Sequence, residues 1–220
     1  MKILNRFCLL MLVTSGVFLV GGQNNLNYWQ QRVNYKMDVV MDVRSNSYSG
    51  TQNLIYTNNS PDDLSVVFYH LYYNAFQPGS EMDVRSNTIS DPDTRVDNRI
   101  SKLKKKDYGF INVLSLTQEN NPVNFKVVGT ILEVKLAVPL KSGDSTELKM
   151  VFEGQVPPVI RRAGKNSSEE VALSMAQWYP KMAEYDFEGW HADPYIGREF
   201  HGVWGDFDVK LSIDKNYTVG

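Results

Sequence analysis

The chain has 220 residues, 42% hydrophobic and 22% charged, with 23 basic against 25 acidic side chains. That mixture excludes a disordered, collagen-like or multi-span membrane chain, and the length fits one large β domain or two small ones. A net charge of -2 supplies no global field for nucleic acid, and the single cysteine, Cys8, excludes a disulfide framework or a cysteine-rich zinc module.

The first segment reads as an address. Lys2 and Arg6 precede the apolar run Phe7–Val20, which closes on Gly21-Gly22, the charged, apolar, small-residue order of a secretory signal peptide. The run is shorter than the roughly 20 residues a spanning helix needs. Residues 1–22 are therefore expected to be removed and 23–220 to be exported, to the periplasm or beyond, with no stable membrane span. An uncleaved anchor is the alternative. Cys8 lies at the start of the apolar run, the wrong end for a lipid anchor, and it would leave with the peptide. The remaining chain would then contain no cysteine and suit an oxidising compartment.

The rest reads as strands in chain order. From Val33 to Met41 the odd positions are Val33, Tyr35, Met37, Val39 and Met41 and the even positions are Asn34, Lys36, Asp38 and Val40, the alternation of a strand with one buried face. Tyr48–Thr57 follows, then the turn cluster from Asn58 to Asp63 and a long strand Leu64–Tyr73. Further strands are expected at Phe110–Leu116, Asn124–Val128, Ile131–Val138 and Thr146–Glu153. Gly143 is free to take positive φ in the last connection. No segment among these keeps a helical period for long. The expected fold class is all-β, an antiparallel β-sandwich or saddle-shaped sheet assembly.

Two polar stretches interrupt the strands. Gln77–Lys106, with Lys102, Lys104, Lys105 and Lys106, reads as a solvated loop carrying a single helical turn. Pro157–Glu170, with Arg161-Arg162, reads as a second loop. The hexapeptide Met-Asp-Val-Arg-Ser-Asn occurs at 41–46 and again at 82–87, but its flanks differ and no repeat architecture follows.

A self-sufficient catalytic set is not visible. The histidines are His70, His191 and His201; none stands in H-E-x-x-H, and the ten-residue spacing of His191 and His201 is a weak metal signal. His70, inside a strand, reads as a structural histidine. No G-x-S-x-G elbow or phosphate-cradling glycine loop occurs. Neither a catalytic residue nor a metal ligand is assigned.

Residues 178–207 stand out, with Trp178, Tyr179, Tyr185, Phe187, Trp190, Tyr195, Phe200, Trp204 and Phe207 interleaved with Glu184, Asp186, Glu188, Asp193, Glu199 and Asp206. Such a set can bind sugars or cationic amines through ring faces and carboxylates. It can equally fill the space between two layers or against a second domain, and packing is the preferred reading.

The stretch Gln177-Trp178-Tyr179-Pro180-Lys181-Met182-Ala183-Glu184-Tyr185-Asp186, with Gly189-Trp190 and Gly205-Asp206-Phe207-Asp208-Val209, resembles the amino-terminal domain of the aminopeptidase N family of zinc metallopeptidases (gluzincins). Val128–Leu132, Pro139–Ser145 and the opening from Tyr35 to Tyr72 resemble it too. The likeness covers about residues 28–220 and is greatest to secreted members from Bacteroidetes-like bacteria. It implies a mostly antiparallel saddle leaning on a thermolysin-like catalytic domain in cis, with peptide amino termini as the family substrate. In the family, zinc is held by H-E-x-x-H and a later glutamate, and a G-x-M-E-N stretch grips the substrate amine. Neither motif occurs here, so the resemblance implies a non-catalytic domain, truncated before its catalytic partner and inactive alone. By motif position, Gln177 would be the polar residue that reaches the substrate's amino terminus, since its carbonyl can accept from an ammonium. A strand-end amide is the plain alternative. The rival for the whole chain is a stand-alone secreted β-sandwich module that binds glycan or peptide.

Overall fold

The computed structural model describes residues 28–91, 93–197 and 200–220. The expected signal peptide, with Cys8, and Glu199 of the aromatic segment lie outside the described residues. In chain order the strands are β1 (Arg32–Asp42), β2 (Ser47–Thr57), β3 (Leu64–His70), β4 (Phe110–Gln118), β5 (Asn121–Pro122), β6 (Asn124–Val128), β7 (Ile131–Leu140) and β8 (Ser145–Gln155). Five short or late strands precede the end: β9 (Gly164–Lys165), β10 (Leu173–Ser174), β11 (Lys181–Met182), β12 (Tyr185–Asp186) and β13 (Gly189–Trp190). The last is β14 (Gly205–Ser212). Helix α1 covers Glu81–Thr88. No described helix is long and apolar enough to cross a membrane.

The fold is all-β. A six-stranded sheet runs β14-β1-β2-β8-β4-β5 and a four-stranded sheet runs β11-β3-β7-β6. Every pairing in them is antiparallel except β1 with β14. The alternation in β1 buries its odd residues, and Leu54 and Tyr56 of β2 and Leu148, Met150 and Phe152 of β8 join the same cluster. Val67 and Tyr69 of β3 and Leu132 and Val134 of β7 close it from the second sheet. Burying such side chains is worth about 1.5–3 kcal/mol each, which makes this inter-sheet layer the main stabilising feature.

The chain changes sheets between β2 and β3 and again between β7 and β8, and both corners meet at buried Asn58. Its Nδ2 donates to the carbonyls of Asp62 (2.7 Å) and Leu140 (3.3 Å). Its Oδ1 accepts from Gln31 Nε2 and from the Ser60 backbone and hydroxyl. Gly143, at φ 82, donates its N–H to the Asn58 carbonyl.

Three expectations need correction. The third strand stops at His70 rather than Tyr73, because Tyr72–Ala75 turns into a 3-10 helix that carries Tyr72, Tyr73 and Ala75 into the core. The stretch 77–106 is more than a solvated loop. Ser80 caps the eight-residue helix α1 by accepting the Asp83 N–H, and Met82, Val96 and Ile100 are buried. A further strand, β14, lies where none was assigned, although Phe207, Val209 and Leu211 alternate with Asp206, Asp208 and Lys210.

Candidate functional site

The Gln177–Met182 stretch is held from below by three side chains of the large sheet. Tyr48 donates its hydroxyl to the Trp178 carbonyl, Gln52 Nε2 donates to the Pro180 carbonyl at 2.8 Å, and Tyr35 accepts the Met182 N–H at 2.8 Å. Tyr35, Tyr48 and Gln52 are buried on the inner faces of β1 and β2. Polar groups in that layer lose water on folding and must find partners, and the carbonyls and N–H of 178–182 supply them. Gly154 makes the arrangement possible, because a Cβ there would stand 2.2 Å from the Tyr48 ring.

Gln177 heads this clamped stretch at φ 57, a left-handed conformation that few non-glycine residues adopt. It borders a cleft with Tyr72, Tyr73, Arg161, Arg162 and Tyr195 that is nearly filled by its own side chains, with about 10 Å³ of free space. Arg161 is neutralised by Asp91 at 2.8 Å, while Arg162 stacks its guanidinium over Phe200 at 5.0 Å.

Most of the aromatic segment packs. Trp178 meets Tyr48 edge-on at 5.8 Å and leans on Phe152, and Trp190 stacks with Tyr56 at 6.3 Å and crosses Phe68. Tyr195 lies between Tyr72, Phe76 and Phe200. These rings fill the layer rather than present flat faces for a sugar.

The exceptions are Phe187, exposed at the tip of the β12–β13 hairpin, and the edge of the large sheet. β14 pairs parallel with β1 in the register Tyr35↔Phe207, Met37↔Val209 and Val39↔Leu211. Partners in register point to the same face, and the Tyr35 and Phe207 rings stack at 4.8 Å. Phe207, Val209 and Leu211 thus point to the core side, yet they remain 49%, 43% and 37% exposed, and neighbouring Trp204 is 78% exposed. On the other face, Asp206 pairs with Arg32 and Lys210 with Asp38, each at 2.7 Å. The large sheet runs one strand past what the small sheet covers.

The structure also joins residues that sequence spacing left apart. Asp186, His191 and His201 offer ligand atoms that all lie within 4.8 Å of one another. His70, in contrast, is buried as expected of a structural histidine, with Nε2 3.1 Å from the His191 carbonyl. Burial presses its pKa down to about 4. Neither the exposed inner edge nor the Asp–His cluster was assigned from sequence. The alternation in β14 was legible, whereas the cluster depends on a hairpin and a returning strap.

No family model matches the sequence, and no curated protein matches it. Among solved structures, the fold is similar to a two-domain M1 zinc metallopeptidase bound to L-tryptophan, with TM-score 0.45 and 13% identity over 85% of this chain and 34% of that one. It is likewise similar to an M1 zinc metallopeptidase from Deinococcus radiodurans, with TM-score 0.44 and 12% identity over 84% of this chain and 32% of that one. The same peptidase bound to a Tyr-Ser-Ala substrate gives TM-score 0.45 and 12% identity over 84% and 33%. The chain spans about a third of the length of these solved chains.

Proposed function

We propose that this chain is the non-catalytic amino-terminal β domain of a secreted zinc metalloaminopeptidase, and that it walls one side of the substrate cleft of a thermolysin-like catalytic domain. The observation that carries the reading is the uncovered core-side stripe Phe207, Val209 and Leu211, beside exposed Trp204. An apolar stripe of this kind is the mark of a surface built to meet a neighbour. The clamped Gln177–Met182 stretch, whose sequence carries the family resemblance, supports the same reading: three buried side chains hold its backbone in place.

The family's catalytic zinc does not fit residues of this chain, which has no H-E-x-x-H. What the chain contributes is position. Gln177, in its fixed left-handed conformation, would turn an uncharged carbonyl toward the substrate's ammonium, and the sheet edge would seat the partner domain.

The test is to express the chain joined to the polypeptide that continues its reading frame and to assay aminoacyl-arylamide hydrolysis with and without a chelator. The expected result is chelator-sensitive hydrolysis, and Gln177→Ala raises KM by roughly tenfold, as loss of one hydrogen bond to a charged group does. A joined product with no H-E-x-x-H and no hydrolysis overturns the reading.

A further inference from the structure

We propose that Asp186, His191 and His201 form a divalent transition-metal site of the class that takes zinc, distinct from any H-E-x-x-H centre. The hairpin β12–β13 pairs Tyr185 with Trp190 and Asp186 with Gly189, and it continues in the His191 N–H donating to the Glu184 carbonyl at 2.9 Å. That register puts Glu184, Asp186 and His191 on one face, with Asp186 and His191 diagonal neighbours within side-chain reach. Gly189, at φ 100, makes the reversal.

His201 arrives from a different part of the chain, on the strap that leads into β14. Its ring meets that of His191 at 4.5 Å between centroids. The strap is seated before any ligand is bound: Phe200 packs on Tyr72 and Tyr195 under the Arg162 guanidinium, and Gly202 lies so close over Lys181 that a Cβ would come within 2.7 Å of its Nζ.

The distances suit a metal. Two ligands each about 2.1 Å from a tetrahedral zinc stand about 3.4 Å apart. His201 Nε2 is 3.5 Å from Asp186 Oδ2, and His191 Nε2 is 2.8 Å from it. The second contact is close, but it is not aligned as a hydrogen bond, and the buried His191 Nε2 has no such partner among the described residues. A small outward movement of the carboxylate brings it to coordination spacing. Asp186 Oδ1 accepts the Glu188 N–H at 2.8 Å, which engages that oxygen and leaves Oδ2 for the metal.

Two imidazoles and one carboxylate favour zinc, copper or nickel over magnesium or calcium, which take oxygen donors. Buried Glu184 on the same hairpin face adds a second carboxyl group, with the Lys181 ammonium nearby. Three protein ligands leave a coordination position open, and His201, with its side chain 58% exposed, places that position at the surface. Water or a ligand from a partner can complete it. A bound ion would tie the hairpin to the strap and so hold the start of β14.

The test uses the untagged chain, stripped with a chelator and titrated with Zn2+ by calorimetry and with Co2+ by visible absorption. The expected result is one zinc per chain, a cobalt spectrum of low-symmetry four-coordinate type, and a higher unfolding temperature at saturating zinc. His201→Ala, at an exposed position, is expected to fold normally and to weaken zinc at least about tenfold, with Asp186→Asn doing the same. Far-UV circular dichroism checks both folds. Zinc uptake well below one per chain, or affinity unchanged in folded His201→Ala, overturns the proposal. Its failure leaves the peptidase-domain reading untouched, because hydrolysis by the joined polypeptide depends on other ligands.

Discussion

Arg161 Nη2 reaches Asp91 Oδ2 at 2.8 Å across 70 residues of chain, and both side chains are buried. Arg161 stands at φ 59, so the backbone bends into a left-handed conformation to deliver the guanidinium. The contact pins two stretches that composition marks as loops, and Arg85 adds a weaker approach to the same carboxylate at 3.4 Å. Breaking a buried pair by removing one partner leaves an uncompensated charge, which costs about 3–5 kcal/mol. Arg161→Met is expected to destabilise by that order in urea unfolding, and Asp91→Asn combined with Arg161→Met by less than the sum. Additive losses would show that the two side chains do not act as a pair.

Asn58 joins two of the corners where the chain passes between sheets. It makes five side-chain hydrogen bonds from a fully buried position. Asn58→Leu matches it in size but removes the acceptor of the buried Gln31 Nε2 and the Nδ2 donor to the Leu140 carbonyl, each at about 1–3 kcal/mol. We expect a loss of roughly 3 kcal/mol or more, read as a lower urea midpoint at an unchanged m value. A loss below about 1 kcal/mol would mean the corner is held by packing alone.

Gly205 lets β14 dock. A Cβ there would stand 2.1 Å from the Val33 carbonyl oxygen and 2.4 Å from its Cγ2. Gly205→Ala is therefore expected to peel the edge strand away. Hydrogen exchange should speed up across 205–212, while exchange in β2 and β8 stays slow, because β14 contributes little to the buried core. Unchanged protection of 205–212 would refute this.

His70 makes stability depend on pH. It is neutral in the folded protein because burial, with a smaller contribution from Lys181, lowers its pKa from 6.5 to about 4; the His191 carbonyl and Asp193 oppose the shift. Its ring stacks on Tyr72, and Nδ1 is buried without a hydrogen-bond partner among the described residues. The unfolded chain therefore binds the extra proton first, between pH 6.5 and about 4. This contribution to stability is present above pH 6.5 and is lost as pH falls through that window, by up to about 3 kcal/mol. His70→Gln, compared with the parent in chelator from pH 7 to pH 4, should flatten the slope. An equal slope in both would assign it to other groups.

Sequence alone determined the strands whose pattern is local. Alternating side chains report a face, so β1 shows its buried positions one by one, and turn residues such as Gly143 mark where the chain must reverse. The same alternation at Phe207, Val209 and Leu211 was legible as a strand, but not as one with an uncovered inner face. That follows from the extent of the opposite sheet. Tertiary structure decided what distant segments share: the Arg161–Asp91 pair, the hold of Tyr35, Tyr48 and Gln52 on residues 178–182, and the meeting of His201 with Asp186 and His191. No local period encodes these contacts, because each joins groups through the packing of two layers, where burial makes a polar partner obligatory without naming which one it will be.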